Sequence, residues 1–237
     1  MKYYYDLHIH SCLSPCGDDD MTPNNIVNMA ALKGLDVIAV SDHNSCKNVR
    51  AVMKAAEGKI TVIPAMEIET SEEVHVLTLF PDIASCEEMG RILNDNMPFM
   101  ENRADIFGNQ YIMDGEDNIC SEEKNMLVRA SELSVYRVFE IAGELGAAAV
   151  PAHIDRTSYS IISNLGFIPD DLFAPTVEIT EKNLSGFRKQ FENRNIITNS
   201  DAHYLENISE KRHYIELEDV LDNKLTKKII QNLCKFS

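Results

Sequence analysis

The chain lacks any long apolar run. None of its stretches approaches the roughly 18 apolar residues that a membrane-spanning helix requires. Its first residues also lack the basic segment and following apolar stretch that mark a secretory signal. These absences argue against a membrane protein and predict a cytoplasmic location. At 237 residues the chain can bury a sizeable core, and we expect a single domain over residues 1–237.

Positive charge is also scarce. The chain has 22 Lys and Arg residues against 38 Asp and Glu residues, which gives a formal net charge of −16 at pH 7. A surface of that charge repels polyanions unless cations are bound locally. We therefore expect neither duplex DNA nor a membrane as a partner of the bare chain, while the oligomeric state stays open.

Two further absences concern covalent chemistry. No Cys-x-x-Cys pair occurs among the six cysteines, so the sequence predicts reduced thiols and no disulfide framework. The chain also has neither a Gly-x-Ser-x-Gly motif nor a glycine-rich phosphate loop. These absences argue against a catalytic serine or cysteine as the nucleophile.

What the chain does contain is a regular alternation of two patterns. Short runs rich in Val and Ile, such as "LDVIAVSDH" and "KITVIPAMEIE", predict strands that are buried on both faces. Segments of helical period separate them, and "TPNNIVNMAALKG" begins with Thr22 as N-cap and Pro23 at the first helical position. The alternation predicts an α/β fold with a parallel sheet, either closed as a barrel or open and doubly wound. Residues 86–129 break the rhythm and predict an insertion that could overhang a site.

Most of the histidines fall in or at the end of predicted strands. These six are His8, His10, His43, His75, His153 and His203. In a parallel α/β fold the carboxyl ends of the strands meet on one face, where ligands and catalytic groups generally lie. His8 and His10 are alternate strand residues, so both face the same side and offer two imidazoles to one ion. Two other strand ends, "SDHN" and "SDAH", repeat the arrangement, the second with Asp201.

Glu67 adds a carboxylate in the middle of a strand-like run, where an unpaired charge is costly to bury. Bound cations would relieve that cost. Glu69 faces the same side but lies nearer the strand end, so we expect it to be solvated. The imidazoles together with Glu67 and Asp201 suit Zn²⁺, Mn²⁺ or Fe²⁺, and they exceed what one tetrahedral ion uses. We therefore expect a site with two or three divalent metal ions.

These motifs resemble those of the PHP (polymerase and histidinol phosphatase) domain family. The matching segments are, in order, "DLHIHS", "GLDVIAVSDHN", "IPAMEIET" with the following "HVL", "PAHIDR" and "TNSDAH". The resemblance covers nearly all of residues 1–215. It implies an α/β fold of the distorted (βα)7 TIM-like barrel type, with the metal site at the carboxyl ends of the strands.

The resemblance also implies how the ligands are shared among three metals. His8, His10, Glu67 and Asp201 would hold the first ion, His43 and His203 the second, and Glu67 would bridge to a third ion bound by His75 and His153. Many family members carry Ser-Asp-Gly after the first motif, with the Asp as a ligand, whereas this chain reads "LSPCGDDD". Counting back from "TP" places Asp18 in that position, and counting forward from His8 leads to Cys16. We favour Asp18 as the ligand, and a structural or solvated role stays open for Cys16.

The predicted function is a metal-dependent phosphoesterase. It would hydrolyse a phosphomonoester or a small phosphodiester, of the nucleotide or short oligonucleotide class, through a metal-bound hydroxide. Glu67, Asp201 and Arg156 are the predicted catalytic residues. Arg156 follows His153 by three residues and could fork onto the phosphate of a small phosphorylated substrate, a surface ion pair being its alternative role.

Two other functions fit the same histidines. An amidohydrolase-like metal hydrolase would share the His-x-His pair and the last Asp, but a lysine commonly bridges the metals in such enzymes. A non-catalytic, metal-binding regulatory PHP module would hold the ions without turnover. The ligand set of this chain is intact, which favours activity.

Overall fold

The computed structural model describes residues 1–218 and 222–236. The strands in these residues are β1 (Lys2–Ile9), β2 (Val37–Val40), β3 (Thr61–Glu69), β4 (His75–Leu79), β5 (Tyr111–Met113), β6 (Ile119–Glu122), β7 (Ala148–Pro151), β8 (Thr176–Glu178), β9 (Asn195–Ile197) and β10 (Tyr214–Glu216). The helices are α1 (Pro23–Leu32), α2 (Val49–Ala55), α3 (Ile83–Asp95), α4 (Ala104–Phe107), α5 (Val135–Glu144), α6 (Ile161–Leu165), α7 (Leu184–Phe187) and α8 (Asp222–Leu233), with a 3₁₀ turn at Leu205–Asn207. Within the described ranges, no helix combines the length and the apolar character that crossing a membrane requires.

The main sheet has six strands in the order β10-β1-β2-β3-β4-β7. The pairs β1–β2 and β2–β3 are parallel, as the alternation of strands and helices predicts. The strand β4 is antiparallel to both β3 and β7, and β10 is antiparallel to β1, so the expectation of an all-parallel sheet is wrong. The connection between β3 and β4 has only the five residues 70–74, which is too short for the crossover that a parallel pair needs.

A curled six-stranded sheet in an α/β fold is confirmed, whereas the predicted closed (βα)7 barrel is not. The strands β8 and β9 form a separate parallel pair next to the sheet. A bridge between Ile9 and Ala202 links this pair to one side of the sheet, and the Ile154 amide donates to the Glu178 carbonyl on the other side at 2.9 Å. Both sides of the half-barrel therefore approach the β8–β9 pair without a continuous ladder of strands among the described residues.

The apolar core lies on both faces of the sheet. Leu7, Ala39 and Leu77 pack on the face that is covered by Leu225 and Ile229 of α8, and all five are buried. The opposite face packs on the remaining helices in two clusters, one with α1 and α2 and the other with α3 and α5. Full burial of a Leu or Ile side chain contributes roughly 1.5–3 kcal/mol. This packing makes the strands stiff supports for the groups at their ends.

The helix α1 shows how the local sequence sets the start of an element. The hydroxyl of Thr22 accepts a hydrogen bond from the Asn25 amide, and Pro23 occupies the first turn, as predicted. The helix ends before Gly34, whose φ of +74° is the left-handed conformation that favours glycine. The loop between β1 and α1 is therefore held between two defined elements.

The segment that follows α3 departs from the alternation of strands and helices. The helix α3 belongs to the core and ends at Asp95, and irregular structure follows it. The insertion at residues 86–129 stays a prediction. The Tyr111 amide donates to the Cys12 carbonyl at 2.9 Å, and the Asn44 side chain donates to the Leu127 carbonyl at 2.8 Å. The segment therefore lies against the loops that follow β1 and β2.

Candidate metal centre

The two histidines of the first motif converge at the end of β1. His8 and His10 are both fully buried, and their Nε2 atoms lie 3.3 Å apart. Nδ1 of His8 lies 3.0 Å from a carboxylate oxygen of Glu178, and Nδ1 of His10 lies 3.0 Å from the hydroxyl of Ser14. These contacts hold each ring by Nδ1 and leave Nε2 facing its neighbour, which is the arrangement typical of metal-ligating histidines.

Glu67 lies at the centre of the cluster, and its side chain is buried. Its carboxylate oxygens are 3.0–3.4 Å from ring nitrogens of His8, His10, His43, His75 and His153. Burial alone would raise the pKa of Glu67, but the neighbouring His75 and His8 hold that pKa well below its usual range. A single buried carboxylate thus contacts imidazoles from five positions of the chain.

Asp201 completes the first group of donors. Its Oδ1 lies 3.0 Å from Nε2 of His10 and 3.4 Å from Nε2 of His8, without a hydrogen-bond partner. Its Oδ2 lies 2.6 Å from Arg156, which is exposed at the rim of the cluster. The backbone of Asp201 has φ +51°, an uncommon conformation that is typical of functional sites when it occurs outside glycine.

Three groups of side chains have ligand atoms close enough together to hold a metal ion. The groups are His8 with His10, Glu67 and Asp201; His10 with His43 and His203; and His43 with Glu67 and His75. Within each group the ligand atoms lie within 4.8 Å of one another. Nδ1 of His43 and Oδ1 of Asp201 are buried without a hydrogen-bond partner, which is costly unless a cation takes that place. The residues present therefore fit divalent metal ions.

His75 and His153 both contact Glu67 through one carboxylate oxygen. Nδ1 of His75 and Nε2 of His153 lie 3.0 and 3.1 Å from the same oxygen, Oε1 of Glu67. Nε2 of His75 also lies 3.8 Å from Glu69, whose side chain is buried. The expectation that Glu69 is solvated is therefore wrong, because the hairpin of β3 and β4 covers the end of β3 with His75.

The loop after β1 carries both candidates for the additional ligand. The carboxylate of Asp18 accepts a hydrogen bond from the Asp20 amide at 2.9 Å, and Asp18 belongs to none of the three groups. Cys16 likewise belongs to none of the three groups. Burial raises the pKa of its thiol, but the neighbouring imidazoles of His203 and His43 outweigh that effect and lower the pKa to about 6. Asp18 therefore stays a prediction as the additional ligand.

A polar opening adjoins the cluster on the Asp201 side. Its volume is about 480 Å³, and Asp201 and His153 form part of its wall. Charged side chains of both signs line it: four cations, Lys33, Arg156, Lys182 and Arg212, and five acids, Glu178, Glu181, Asp201, Glu206 and Glu210. The opening therefore offers local cations to an anionic ligand without being basic as a whole.

Comparison with known proteins identifies the family. The family model of the PHP domain matches residues 6–220. The chain belongs to the PHP domain family. This membership confirms the resemblance expected from the motifs.

Individual PHP relatives cover the chain to different extents. A 5'-3' exoribonuclease from Haemophilus influenzae is 31% identical over 114 residues, which are 46% of this chain and 40% of the relative. The crystal structure of endonuclease Q from Pyrococcus furiosus superposes on this chain with a TM-score of 0.69 at 21% identity. The match covers 98% of this chain and 56% of the endonuclease Q chain.

A protein from Bifidobacterium adolescentis, assigned as a metal-dependent phosphoesterase, has a TM-score of 0.59 at 16% identity. That match covers 97% of this chain and 96% of the other chain. The chain spans less than half the length of the curated relatives it matches.

The expectation that duplex DNA is excluded as a partner is wrong. Endonuclease Q, whose fold the PHP chain shares, was solved with a 27-mer duplex that carries an abasic lesion at the active site; that structure has a TM-score of 0.66 at 21% identity. Net charge is a sum over the whole protein, whereas the binding of a polyanion depends on the electrostatic field at the opening where it binds. In this chain the opening carries cations such as Arg156 and Lys182 among its acidic residues, so a formal net charge of −16 does not by itself exclude a polyanion.

Two supporting groups of the PHP site were missed by sequence reasoning. Glu178 is buried on β8, where it contacts His8 and accepts a hydrogen bond from the His153 amide at 2.8 Å. The carboxylate of Asp42 accepts a hydrogen bond from Ser14 at 2.7 Å and so supports His10. The signal for Glu178 was present, because "TVEIT" places a carboxylate inside a β-branched run just as "AMEIET" does for Glu67.

Proposed function

We propose that this PHP domain is a metal-dependent phosphoesterase. The observation that carries the proposal is the convergence of three groups of imidazole and carboxylate donors beside a polar opening that Arg156 also lines. The enzyme class, a hydrolase of phosphoester bonds, is consistent with the family and with the relatives.

The proposed ligands are divided among two or three divalent ions. His8, His10, Glu67 and Asp201 hold the first ion, and His43 and His203 contribute to the second. Glu67, His75 and His153 would hold a third ion. Nδ1 of His75 and Nε2 of His153 lie 3.0 and 3.1 Å from Oε1 of Glu67. Zn²⁺, Mn²⁺ and Fe²⁺ suit such nitrogen and oxygen donors. When bound, the ions would lower the pKa of a coordinated water towards about 7 and would neutralise charge on the phosphate.

The protein groups around the metals have separate tasks. Arg156 lies at the rim of the opening, where it forms an ion pair with Asp201. Its guanidinium is placed to donate hydrogen bonds to two oxygens of a phosphate group. Lys182 and Arg212 line the same opening, together with acids such as Glu181. Glu178 fixes the orientation of His8 and so keeps Nε2 available. No protein side chain is needed as the nucleophile in this scheme.

The proposed substrates are phosphomonoesters or phosphodiesters of the nucleotide and oligonucleotide class. The similarity to an exoribonuclease and to endonuclease Q supports nucleic-acid phosphates as substrates, and Arg156 at the opening would contact one such phosphate. An opening of about 480 Å³ is large enough for a nucleotide. A duplex substrate therefore belongs among the compounds to be tested.

The amidohydrolase alternative receives less support from the site. The carboxylate of Glu67 occupies the central place among the donors, where a lysine commonly bridges the metals of amidohydrolases. A regulatory module without activity would show the same metal binding, so only turnover separates it from the proposed enzyme.

The test is a hydrolysis assay on the metal-stripped protein before and after reloading with Zn²⁺ or Mn²⁺. The panel contains a phosphomonoester, a nucleotide, a short oligonucleotide and a duplex with an abasic site, together with an amide and a lactone. We expect phosphoester turnover only in the reloaded protein, abolished by Glu67→Ala and retained by the exposed control Glu57→Ala. Turnover of the amide or lactone alone, or metal binding without any turnover, would overturn the proposal.

A further inference from the structure

The ring of Tyr159 lies on the imidazole of His75 at the candidate metal centre. The two ring centroids are 4.9 Å apart and the ring planes differ by 26°, which is a stacked arrangement. His75 in turn contacts Glu67, with its Nδ1 3.0 Å from the carboxylate. A single imidazole therefore separates the Tyr159 ring from the central carboxylate of the cluster.

The Tyr159 side chain is open to solvent, although the imidazole beneath it is buried. Tyr159 is 46% exposed, so ring surface away from His75 can be reached by a ligand. An aromatic ring that is packed on one side and exposed on the other is the kind of surface on which nucleic-acid bases stack.

The backbone at Tyr159 has a conformation that a bulky residue rarely adopts. Its φ is +55°, in the left-handed region. The Tyr159 carbonyl accepts a hydrogen bond from the His75 amide at 2.9 Å, and the hydroxyl of Ser160 donates to the Arg156 carbonyl at 2.8 Å. Glycine or asparagine would adopt this conformation at a lower cost, so the backbone does not account for a tyrosine here. Conformations of this kind cluster at ligand-binding and catalytic sites.

The same short segment carries the proposed phosphate-binding group. Arg156 precedes Tyr159 by three residues and forms an ion pair with Asp201 at 2.6 Å. The segment thus places a guanidinium beside a carboxylate of the cluster and an aromatic ring beside an imidazole of the cluster. A nucleotide has the matching two parts, an anionic phosphate and a flat base, with one ribose between them.

We propose that Tyr159 binds the nucleobase next to the phosphate that the metal centre hydrolyses, by stacking on the ring surface that His75 leaves free. The inference rests on the proposed phosphoesterase function and narrows its substrates to phosphoesters that carry a nucleobase. Every base has a π face, so this contact selects for the presence of a base and not for its identity.

The absence of tryptophan from the chain allows a direct test of stacking. Tyr159→Trp keeps an aromatic ring and gives the protein a single tryptophan, whose fluorescence a stacked base quenches. Metal-loaded protein is mixed rapidly with the 5′- or 3′-monophosphate of adenosine or with ribose 5-phosphate, and emission is recorded before turnover. We expect saturable quenching by at least one nucleotide and none by ribose 5-phosphate. No quenching by either nucleotide, or equal quenching by ribose 5-phosphate, would overturn the proposal.

Tyr214→Trp is the matched control. Tyr214 is 42% exposed and also contacts an aromatic ring, that of Tyr4, with the centroids 5.7 Å apart. It lies on β10, which pairs with the first residues of β1, whereas His8 lies near the other end of β1. We expect no quenching in this variant. Equal quenching at both positions would mean that the nucleotides bind without preference for Tyr159, which contradicts the proposal.

Substrate discrimination separates stacking from mere support of His75. Tyr159→Asn removes the ring and suits the left-handed backbone, and Tyr159→Phe keeps the ring without its hydroxyl. In Tyr159→Asn we expect the ratio of kcat/KM for the nucleotide to kcat/KM for ribose 5-phosphate to fall by about 10–100-fold, as the loss of one base-stacking contact implies. Tyr159→Phe should keep the wild-type ratio.

Three results of these assays would refute the role of Tyr159. They are an unchanged ratio in Tyr159→Asn, an equal fall in Tyr159→Phe, and a loss of bound metal in Tyr159→Asn that elemental analysis would detect. Quenching in Tyr159→Trp without any phosphoester turnover would reject only the phosphoesterase. Phosphoester turnover without quenching would reject only the binding of the base by Tyr159.

Discussion

Glu178 and His8 form a buried pair that couples two distant parts of the chain at the metal centre. Oε1 of the Glu178 carboxylate lies 3.0 Å from Nδ1 of His8, and both side chains are buried. Glu178 also accepts hydrogen bonds from the Asn199 side chain at 2.7 Å and from the His153 amide at 2.8 Å. The carboxylate is therefore held on several sides and orients His8 without contacting the metal-facing Nε2.

Replacing Glu178 by Gln removes this charge while keeping the size of the side chain. We expect Glu178→Gln to lower the metal affinity by about 10–100-fold, because partners of ligating histidines typically contribute that much. Competition with a chelating dye measures the change. The control is Glu181→Gln, a nearby exposed carboxylate that pairs with His213 at the surface. An affinity equal to that of the wild type in Glu178→Gln would contradict the role assigned to this pair.

Metal binding should stabilise the fold, because Glu67 and its imidazoles come from separate elements that an ion would join. A ligand that binds only the folded state at 100 times its Kd adds roughly 2.7 kcal/mol. We expect a gain of that order in the free energy of unfolding of wild-type protein when Zn²⁺ or Mn²⁺ is added. The measurement is urea unfolding with and without the ion. Glu67→Ala should lose most of the gain, and an equal gain in this variant would mean that the ions bind elsewhere.

Arg156 is expected to bind the phosphate of the substrate rather than the metals. A hydrogen bond to a charged group contributes about 1.5–3 kcal/mol, so Arg156→Ala should lower kcat/KM by about 10–100-fold. Arg156→Lys keeps the charge without the planar fork and should recover only part of the loss. The metal content should stay at the wild-type value, as elemental analysis would show.

The matched control for Arg156 is Arg137→Ala, since Arg137 is an exposed arginine that pairs with Glu140 on α5. Its steady-state kinetics should equal those of the wild type. A similar loss in both variants would indicate a general effect of surface charge, and a loss of metal in Arg156→Ala would indicate a structural role through Asp201.

Two glycines should respond to alanine in opposite directions. Gly17→Ala places a Cβ 2.7 Å from the Ser11 carbonyl oxygen and 3.1 Å from that of Ser14, and such overpacking costs about 1–3 kcal/mol. Gly143 lies inside α5 with nothing within 4 Å of a new Cβ, so Gly143→Ala should stabilise the protein by about 0.5–1 kcal/mol. Urea unfolding of the metal-free variants measures both values. Stabilisation by Gly17→Ala would contradict the close packing of the loop that carries Cys16.

The convergence of most residues of the candidate metal centre was predictable from their positions relative to the apolar runs of the sequence. His8, His43 and Asp201 come at or near the ends of apolar runs, and the ends of parallel strands share one edge of a sheet. His75 reaches the same edge for a different reason. It begins β4, and because β4 is antiparallel to β3, its start lies beside Glu69 at the end of β3.

Other features depend on geometry that the pattern does not contain. The β-branched run around Glu178 marks it as a buried carboxylate, but only the packing of β8 against β1 shows that it contacts His8. Counting residues along the chain cannot show which side chain of the turn after β1 faces inward. Closure of a barrel depends on the pairing of β8 and β9 with their neighbours, which alternation alone does not specify.

The most direct measurement is the anomalous scattering of a crystal grown with excess Zn²⁺ or Mn²⁺. The structure predicts a strong peak between His8, His10, Glu67 and Asp201, and at least one more peak beside His43. Absence of peaks there, with these side chains turned away from one another around an empty cleft, would contradict the metal centre on which the proposed activity depends.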